Sequence, residues 1–336
     1  MLDYGRIIRR AWQVTWRNKV LWVFGIAAAL FGGTSRGGGG GSPGGVQYLL
    51  SGSDIERWRH MGPGLPFGPR GAYVDWQAVM AMIMGVIAVL LVVGLVLFVV
   101  GLIVRYTSQG ALIGMVDEVE RTECTTFKAG VRRGWSRLLY LLAIDILIAI
   151  AMFAAVMALV MVLGVLALVL LGPGIALVSA REGLVAPGVL LLIGGGLALV
   201  LVIVVVAVAL SALSTIVRAY AYRGAVLDQQ GVFEALKAAI ARLRARPRES
   251  LLMWLLLLAI DVGLGVVMIP LGLIGAGALI GPAAATYAMT NEVWAAVLVA
   301  LPILAVVGLV ALFIGGVYLT FRSAVWTLTY RELAAQ

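Results

Sequence analysis

The chain has 336 residues, 62% of them hydrophobic and only 12% charged, with a formal net charge of +9 and a mean hydropathy of +1.07. Soluble globular chains are about 45–50% apolar and 25% charged, so a water-soluble fold is excluded, and disordered and collagenous classes fail with it. One Cys and one His in the whole sequence exclude a disulfide framework, a Cys/His zinc cluster and a His-rich redox site.

In chain order, the first element is a basic amphipathic stretch in which Ile8 and Trp12 oppose Arg6, Arg9 and Arg10. Next is the apolar run Val20 to Phe31, only 12 residues long, between Lys19 and Gly32-Gly33-Thr34. It has three readings: a span, a re-entrant segment or a signal peptide. Residues 32–76 are Gly/Pro-rich, with Gly37 to Gly41, Pro43, Pro63, Pro66 and Pro69 around the sole histidine, His60. Such a segment lacks the apolar surface to fold alone. It is expected as a flexible extracytoplasmic loop or as an arm that orders on a partner through Trp58 and Tyr73.

Five longer apolar runs follow, at approximately 77–104, 138–171, 188–217, 251–281 and 293–321. Each exceeds the roughly 20 residues that cross a hydrocarbon core, which predicts an all-α polytopic membrane protein. Charge decides the short segment, because Lys and Arg collect on the cytoplasmic side. If Val20 to Phe31 crosses, residues 1–19, 105–137, 218–250 and the C-terminal tail share one face and carry twenty Lys/Arg against five. If it does not, every later loop flips and the inside holds ten against fifteen. Six spans with both termini cytoplasmic, in a cell inner (plasma) membrane, is the expectation. A high pI then reflects loop charge and not nucleic-acid binding.

The cytoplasmic ends of the spans repeat. Arg9-Arg10-Ala11-Trp12 matches Arg132-Arg133-Gly134-Trp135, and Leu141-Leu142-Ala143-Ile144-Asp145 matches Leu257-Leu258-Ala259-Ile260-Asp261. The returning spans end in Val104-Arg105, Val217-Arg218 and Phe321-Arg322. One membrane domain, residues 1–336, is therefore expected as three parallel hairpin repeats of about 1–105, 106–218 and 219–336. Each carries a cytoplasmic amphipathic stretch: Phe127, Val131, Trp135 and Leu138 against Lys128, Arg132, Arg133 and Arg137, and Phe233, Leu236, Ile240 and Leu243 beside Lys237, Arg242, Arg244 and Arg246, closed by Pro247. These are expected to lie flat on an anionic inner leaflet, with Arg9, Arg10, Arg132, Arg133, Arg137, Arg242 and Arg244 as lipid contacts; the alternative is that they are ordinary cytoplasmic connections obeying the positive-inside rule.

Ionisable residues within the spans are Asp145 and Asp261, about two to three turns inside the cytoplasmic ends. A carboxylate at that depth needs a partner. Arg105, Arg218 and Arg322 are within snorkelling reach from neighbouring helices, so Asp145, Asp261, Arg105, Arg218 and Arg322 form a candidate intramembrane polar network that binds the units together. Its alternative is a proton or cation relay. Gly194 to Gly196, and Gly277 with Gly281, mark close helix packing, and Pro270 and Pro302 leave a broken-helix site as a second alternative. No HExxH, GxSxG or P-loop is present, and Cys124 has no His beside it, so an enzyme is not expected and no cofactor or metal is implied.

Ala11-Trp12 with Trp22-Val23-Phe24-Gly25, Gly110-Ala111-Leu112-Ile113, Arg223-Gly224-Ala225-Val226-Leu227 and Trp326-Thr327-Leu328-Thr329-Tyr330-Arg331-Glu332-Leu333 resemble bacterial six-span membrane proteins, similar to the membrane domain attached to some glycerophosphodiester phosphodiesterases. The chain carries no phosphodiesterase barrel and none of its acidic metal ligands. The resemblance therefore implies a stand-alone membrane module, an accessory or assembly component, and brings no catalytic residues. The expected function is a scaffold, assembly factor or accessory subunit of a membrane complex, meeting lipid and a protein partner or a second copy. A transporter or channel for a small or lipid-like substrate is the alternative; it requires polar residues facing one another at midplane, where Asp145, Asp261, Ser211 and Ser214 are the main ones available.

Overall fold

A computed structural model describes residues 3–31, 76–122, 125–180 and 185–335. The Gly/Pro-rich segment with His60, Cys124 and Arg181 lie outside the described residues. All regular structure among the described residues is helical: α1 (Tyr4–Arg17), α2 (Val20–Phe31), α3 (Trp76–Thr122), α4 (Phe127–Ala180), α5 (Val185–Leu227), α6 (Val232–Ala245), α7 (Pro247–Thr290) and α8 (Val293–Ala335). Five of these, α3, α4, α5, α7 and α8, are long and apolar enough to cross a membrane.

Local chemistry fixes the helix ends. The Asp3 carboxylate accepts from the Arg6 backbone N–H at 3.0 Å and starts α1. The Glu234 side chain reaches back to the Gly231 N–H at 3.3 Å and starts α6. Pro247 occupies the first turn of α7, where its missing N–H costs nothing. Asn291, at φ 50°, ends α7 in the left-handed conformation that its short polar side chain tolerates. Pro173, Pro270, Pro282 and Pro302 lie inside long helices, as neighbouring helices in a membrane allow.

The long helices exceed the bilayer. At 1.5 Å per residue the 47 residues of α3 extend about 70 Å, against a hydrocarbon core of about 30 Å. On α3 every described side chain from Met80 to Val100 is exposed, whereas Tyr106, Ala111 to Ile113, Met115, Val116 and Val119 are buried. The same change occurs at the matching ends of α4, α5, α7 and α8, where Leu141, Ile144, Tyr220, Met253, Leu257, Val325 and Trp326 join one core. The core thus sits at one end of the bundle.

At that end α3, α5 and α8 touch one another pairwise, and the other helices pack around them. Helix α2 lies against α8 and α3, α4 against α3 and α5, and α7 against α8 and α5, which closes a ring. Two crossings depend on missing side chains. A Cβ on Gly134 of α4 would collide with the Thr107 carbonyl oxygen of α3, and one on Gly25 of α2 with the Gly316 carbonyl and Thr320 of α8. Thr320 spans that second contact by donating to the Leu21 carbonyl at 3.3 Å.

The amphipathic stretches differ from their expected form. Residues 127–138 are the first turns of α4, continuous with its span, and do not form a separate helix lying flat. No breaker interrupts them, and Gly130 and Gly134 bring them against Met115 and Thr107 of the upright α3. Helix α6 is separate, but its inward face is Ala235 and Ala239 with Leu236 and Leu243, while Phe233 is 75% exposed. Small alanines let α6 approach α5 more closely than the phenylalanine stripe would. Helix α1 likewise buries Ile7, Ala11 and Val14 and turns Trp12 and Trp16 outward. Finally, α2 coincides with the expected first crossing, Val20–Phe31, and is about 18 Å long from its 12 residues, shorter than a hydrocarbon core of about 30 Å; it is not among the five helices long enough to cross.

Candidate functional site

The ends of the helices that meet in the core carry the polar residues. Asp145, on α4 and buried, accepts from the Tyr106 hydroxyl of α3 at 2.8 Å. Its carboxylate pairs with Arg218 Nε of α5 at 2.9 Å and lies 3.8 Å from the Arg105 guanidinium of α3. One carboxylate therefore joins three helices from two of the expected hairpins. Asp261, on α7, accepts from the Tyr318 hydroxyl of α8 and pairs with Arg322 of α8 at 3.7 Å. Those partners lie on its own hairpin, whereas the sequence reading placed them on a neighbouring one. Helices α7 and α8 pack on each other, and at that contact Tyr318 and Arg322 stand beside Asp261.

Arg105, Arg218 and Arg322 nevertheless converge, because all three line a cavity between α3, α5 and α8. A fourth lining residue, Arg223, was not a candidate. It is 4% exposed and donates to the Ala219 carbonyl at 2.6 Å, the Ser323 carbonyl at 3.0 Å and Thr327 Oγ1 at 3.2 Å. The signal was present in the sequence: Ala219, Ala221, Gly224 and Ala225 surround Arg223 with small residues, a pattern for close packing and not for a solvated connection. Asp117 was also missed; it is buried and held by Arg121 at 3.0 Å and Arg331 at 3.4 Å.

The arginines expected to meet lipid divide into two groups. Arg10 pairs with Glu120 at 2.8 Å, Arg133 donates to the Gly114 carbonyl at 2.8 Å, Arg137 stacks on Tyr140, and Arg242 pairs with Asp228 at 3.2 Å and stacks on Tyr330. These four fasten the protein to itself. Arg9, Arg132 and Arg244 are exposed and have no ion pair among the described residues. Beside them stand exposed aromatics: Trp12 and Trp16, Phe127 and Trp135, and Phe233.

Serines of the spans bond to their own helices. Ser211 donates to the Val208 carbonyl and Ser214 to the Ser211 carbonyl, so neither offers its proton to a path between helices. Among the described residues no group of three or more His, Cys, Asp or Glu is arranged to hold a metal ion. No family model, no curated protein sequence and no solved structure matches this chain.

Proposed function

We propose that this is a non-enzymatic, six-span protein of the cell inner membrane that serves as a scaffold, assembly factor or accessory subunit. In this reading its folded inner end stands at the cytoplasmic face. The exposed stretch Met80 to Val100 of α3 is about 30 Å long, one hydrocarbon thickness. Arg105 then falls at the inner headgroup level, and the remainder of α3 to Thr122 extends about 25 Å further. The three hairpins arose as repeats, each contributing an Arg-tipped returning helix to the centre.

The observation that carries this reading is the division of labour along each helix. Acidic groups at the inner end are engaged in bonds between helices, while the apolar stretches beyond carry no facing set of polar side chains among the described residues. A transporter needs such a set. Exposed aromatic residues beside Arg9, Arg132 and Arg244 suit an anionic inner leaflet.

Single cysteines at Ser51 and Ala335, placed in a Cys124→Ser background and treated with a membrane-impermeant maleimide on intact cells, test the topology. Ser51→Cys should label and Ala335→Cys should not; labelling of Ser51→Cys only from the inside means the first segment does not cross. Function is tested by purification from the native membrane in mild detergent and by reconstitution into proteoliposomes. A stoichiometric, salt-resistant protein companion and no solute flux are expected. Flux that disappears in Asp145→Asn while folding is kept would establish the transporter instead.

A further inference from the structure

The cavity between α3, α5 and α8 has a volume of ≈ 170 Å³. Four guanidinium groups, of Arg105, Arg218, Arg223 and Arg322, line it, and no carboxylate does. Two carboxylates stand behind them, Asp145 against Arg218 and Arg105 and Asp261 against Arg322. Four positive charges against two negative ones leave a surplus of two around one cavity, with Arg223 the buried one among the four. Arg223 bonds only to neutral acceptors and has no carboxylate within ion-pair distance among the described residues. Arg105 adds a buried Nε that has no hydrogen-bond partner. Neutral acceptors do not repay the desolvation of a buried cation as a counter-charge does. The arrangement is therefore short of an anion.

We propose that this cavity binds a phosphate group bearing two negative charges, either inorganic phosphate or the phosphomonoester headgroup of a lipid. Guanidinium forks match phosphate oxygens in pairs. A phosphomonoester carries about −1.5 to −2 at neutral pH, which matches the surplus, whereas a carboxylate or a phosphodiester supplies only a single charge. The volume is well above the ~10–15 Å³ that a single water needs on the same kind of measure, room for one tetrahedral phosphate. Arg105 and Arg223 are the primary contacts, because their charge is the least compensated; Gln109 and Ser323 add polar groups to a lining that Leu112, Ile113, Leu319 and Trp326 make largely apolar. This site goes beyond the scaffold reading and stands without it.

The test uses the full-length chain, delipidated in detergent, with thermal unfolding and titration calorimetry as readouts. Inorganic phosphate is one probe; mixed micelles containing phosphatidic acid, phosphatidylglycerol or phosphatidylcholine are the others. A rise in midpoint with phosphate alone identifies a soluble ligand, and a rise with phosphatidic acid alone identifies a lipid headgroup; either supports the site. Phosphatidylglycerol, a singly charged diester, should act more weakly. No response to phosphate or phosphatidic acid overturns the proposal, as does an equal response to phosphatidylglycerol. Arg105→Gln leaves Asp145 held by Arg218 and Tyr106, and it should weaken binding at least tenfold, the loss of one charge-assisted bond; Arg105→Lys should weaken it less. Unchanged affinity in Arg105→Gln also overturns the proposal. If that variant melts without cooperativity, Ala219→Leu, which narrows the cavity and removes no charge, replaces it and must lose binding for the proposal to stand.

Discussion

Two stretches of one helix show what organises this protein. From Met80 to Val100 α3 is exposed on every described face, and from Tyr106 to Val119 it lies in the core. The first is wholly apolar and the second mixes apolar residues with Thr107, Ser108, Gln109, Asp117 and Glu118, yet both are helical for the same reason: nothing interrupts them. They differ in what surrounds them. The first stretch belongs to a helix long and apolar enough to cross a membrane, and against lipid the burial of such a stretch in protein yields no hydrophobic gain. In the second stretch Met115 and Val116 are buried, and ion pairs such as Arg10 to Glu120 join the helices that meet there. Tertiary structure concentrates where solvent rewards it.

This comparison predicts unequal responses to substitution. Asp145→Leu should have the largest effect, about 3–5 kcal/mol, because it strands the Arg218 guanidinium beside an alkyl group. Asp145→Asn should cost clearly less, since the amide still accepts from Tyr106. Thermal unfolding in detergent micelles compares the two variants, and an equal loss would mean the carboxylate does not fasten the helices.

Next in size is Leu141→Ala. Leu141 is 0% exposed in the inner core, so its truncation should cost about 2–5 kcal/mol. The same change at Leu91, which is 68% exposed on the span, should stay within about 0.5 kcal/mol. The pair is a direct test of the division: similar melting temperatures for both variants would show that the outer stretch of α3 is covered by protein in the native membrane, as by a second copy.

Smaller effects belong to the exposed arginines. Arg132→Gln should reduce enrichment of phosphatidylglycerol around the protein in mixed nanodiscs, at about 1 kcal/mol for a basic residue near an anionic surface. Arg133→Gln, whose side chain is spent on the Gly114 carbonyl, should change stability more than lipid enrichment. Counting lipids by mass spectrometry separates the two, and a reversed order would mean that α4 presents its other face to the membrane.

Much of the architecture was legible because membrane physics acts on local composition. A run such as 251–281 has one stable solution in lipid, an unbroken helix, whatever it touches. The matched motifs ending in Asp145 and Asp261, and the arginines at 105, 218 and 322, stood out because charge is costly at that depth. Their pairing partners were less legible, since a snorkelling side chain reaches several neighbours and only the packing of α7 on α8 assigns Arg322 to Asp261. The amphipathic stretches misled for a related reason. A stripe of Phe127, Val131 and Trp135 reads the same whether its helix lies on a membrane or stands against another helix, and Gly134 meeting Thr107 decides for the second.

The sequence by itself determined that this chain is helical, that it belongs in a membrane, and which few ionisable residues had to be satisfied. These are consequences of transfer free energy, which is a property of each segment alone. Only the tertiary structure decided that four arginines from three helices surround one cavity, because convergence depends on crossing points and rotations set by small residues such as Gly25 and Gly134. Arg223 illustrates the difference: along the chain it is one more basic residue near the end of a span, and in the folded protein it is a buried cation facing three others.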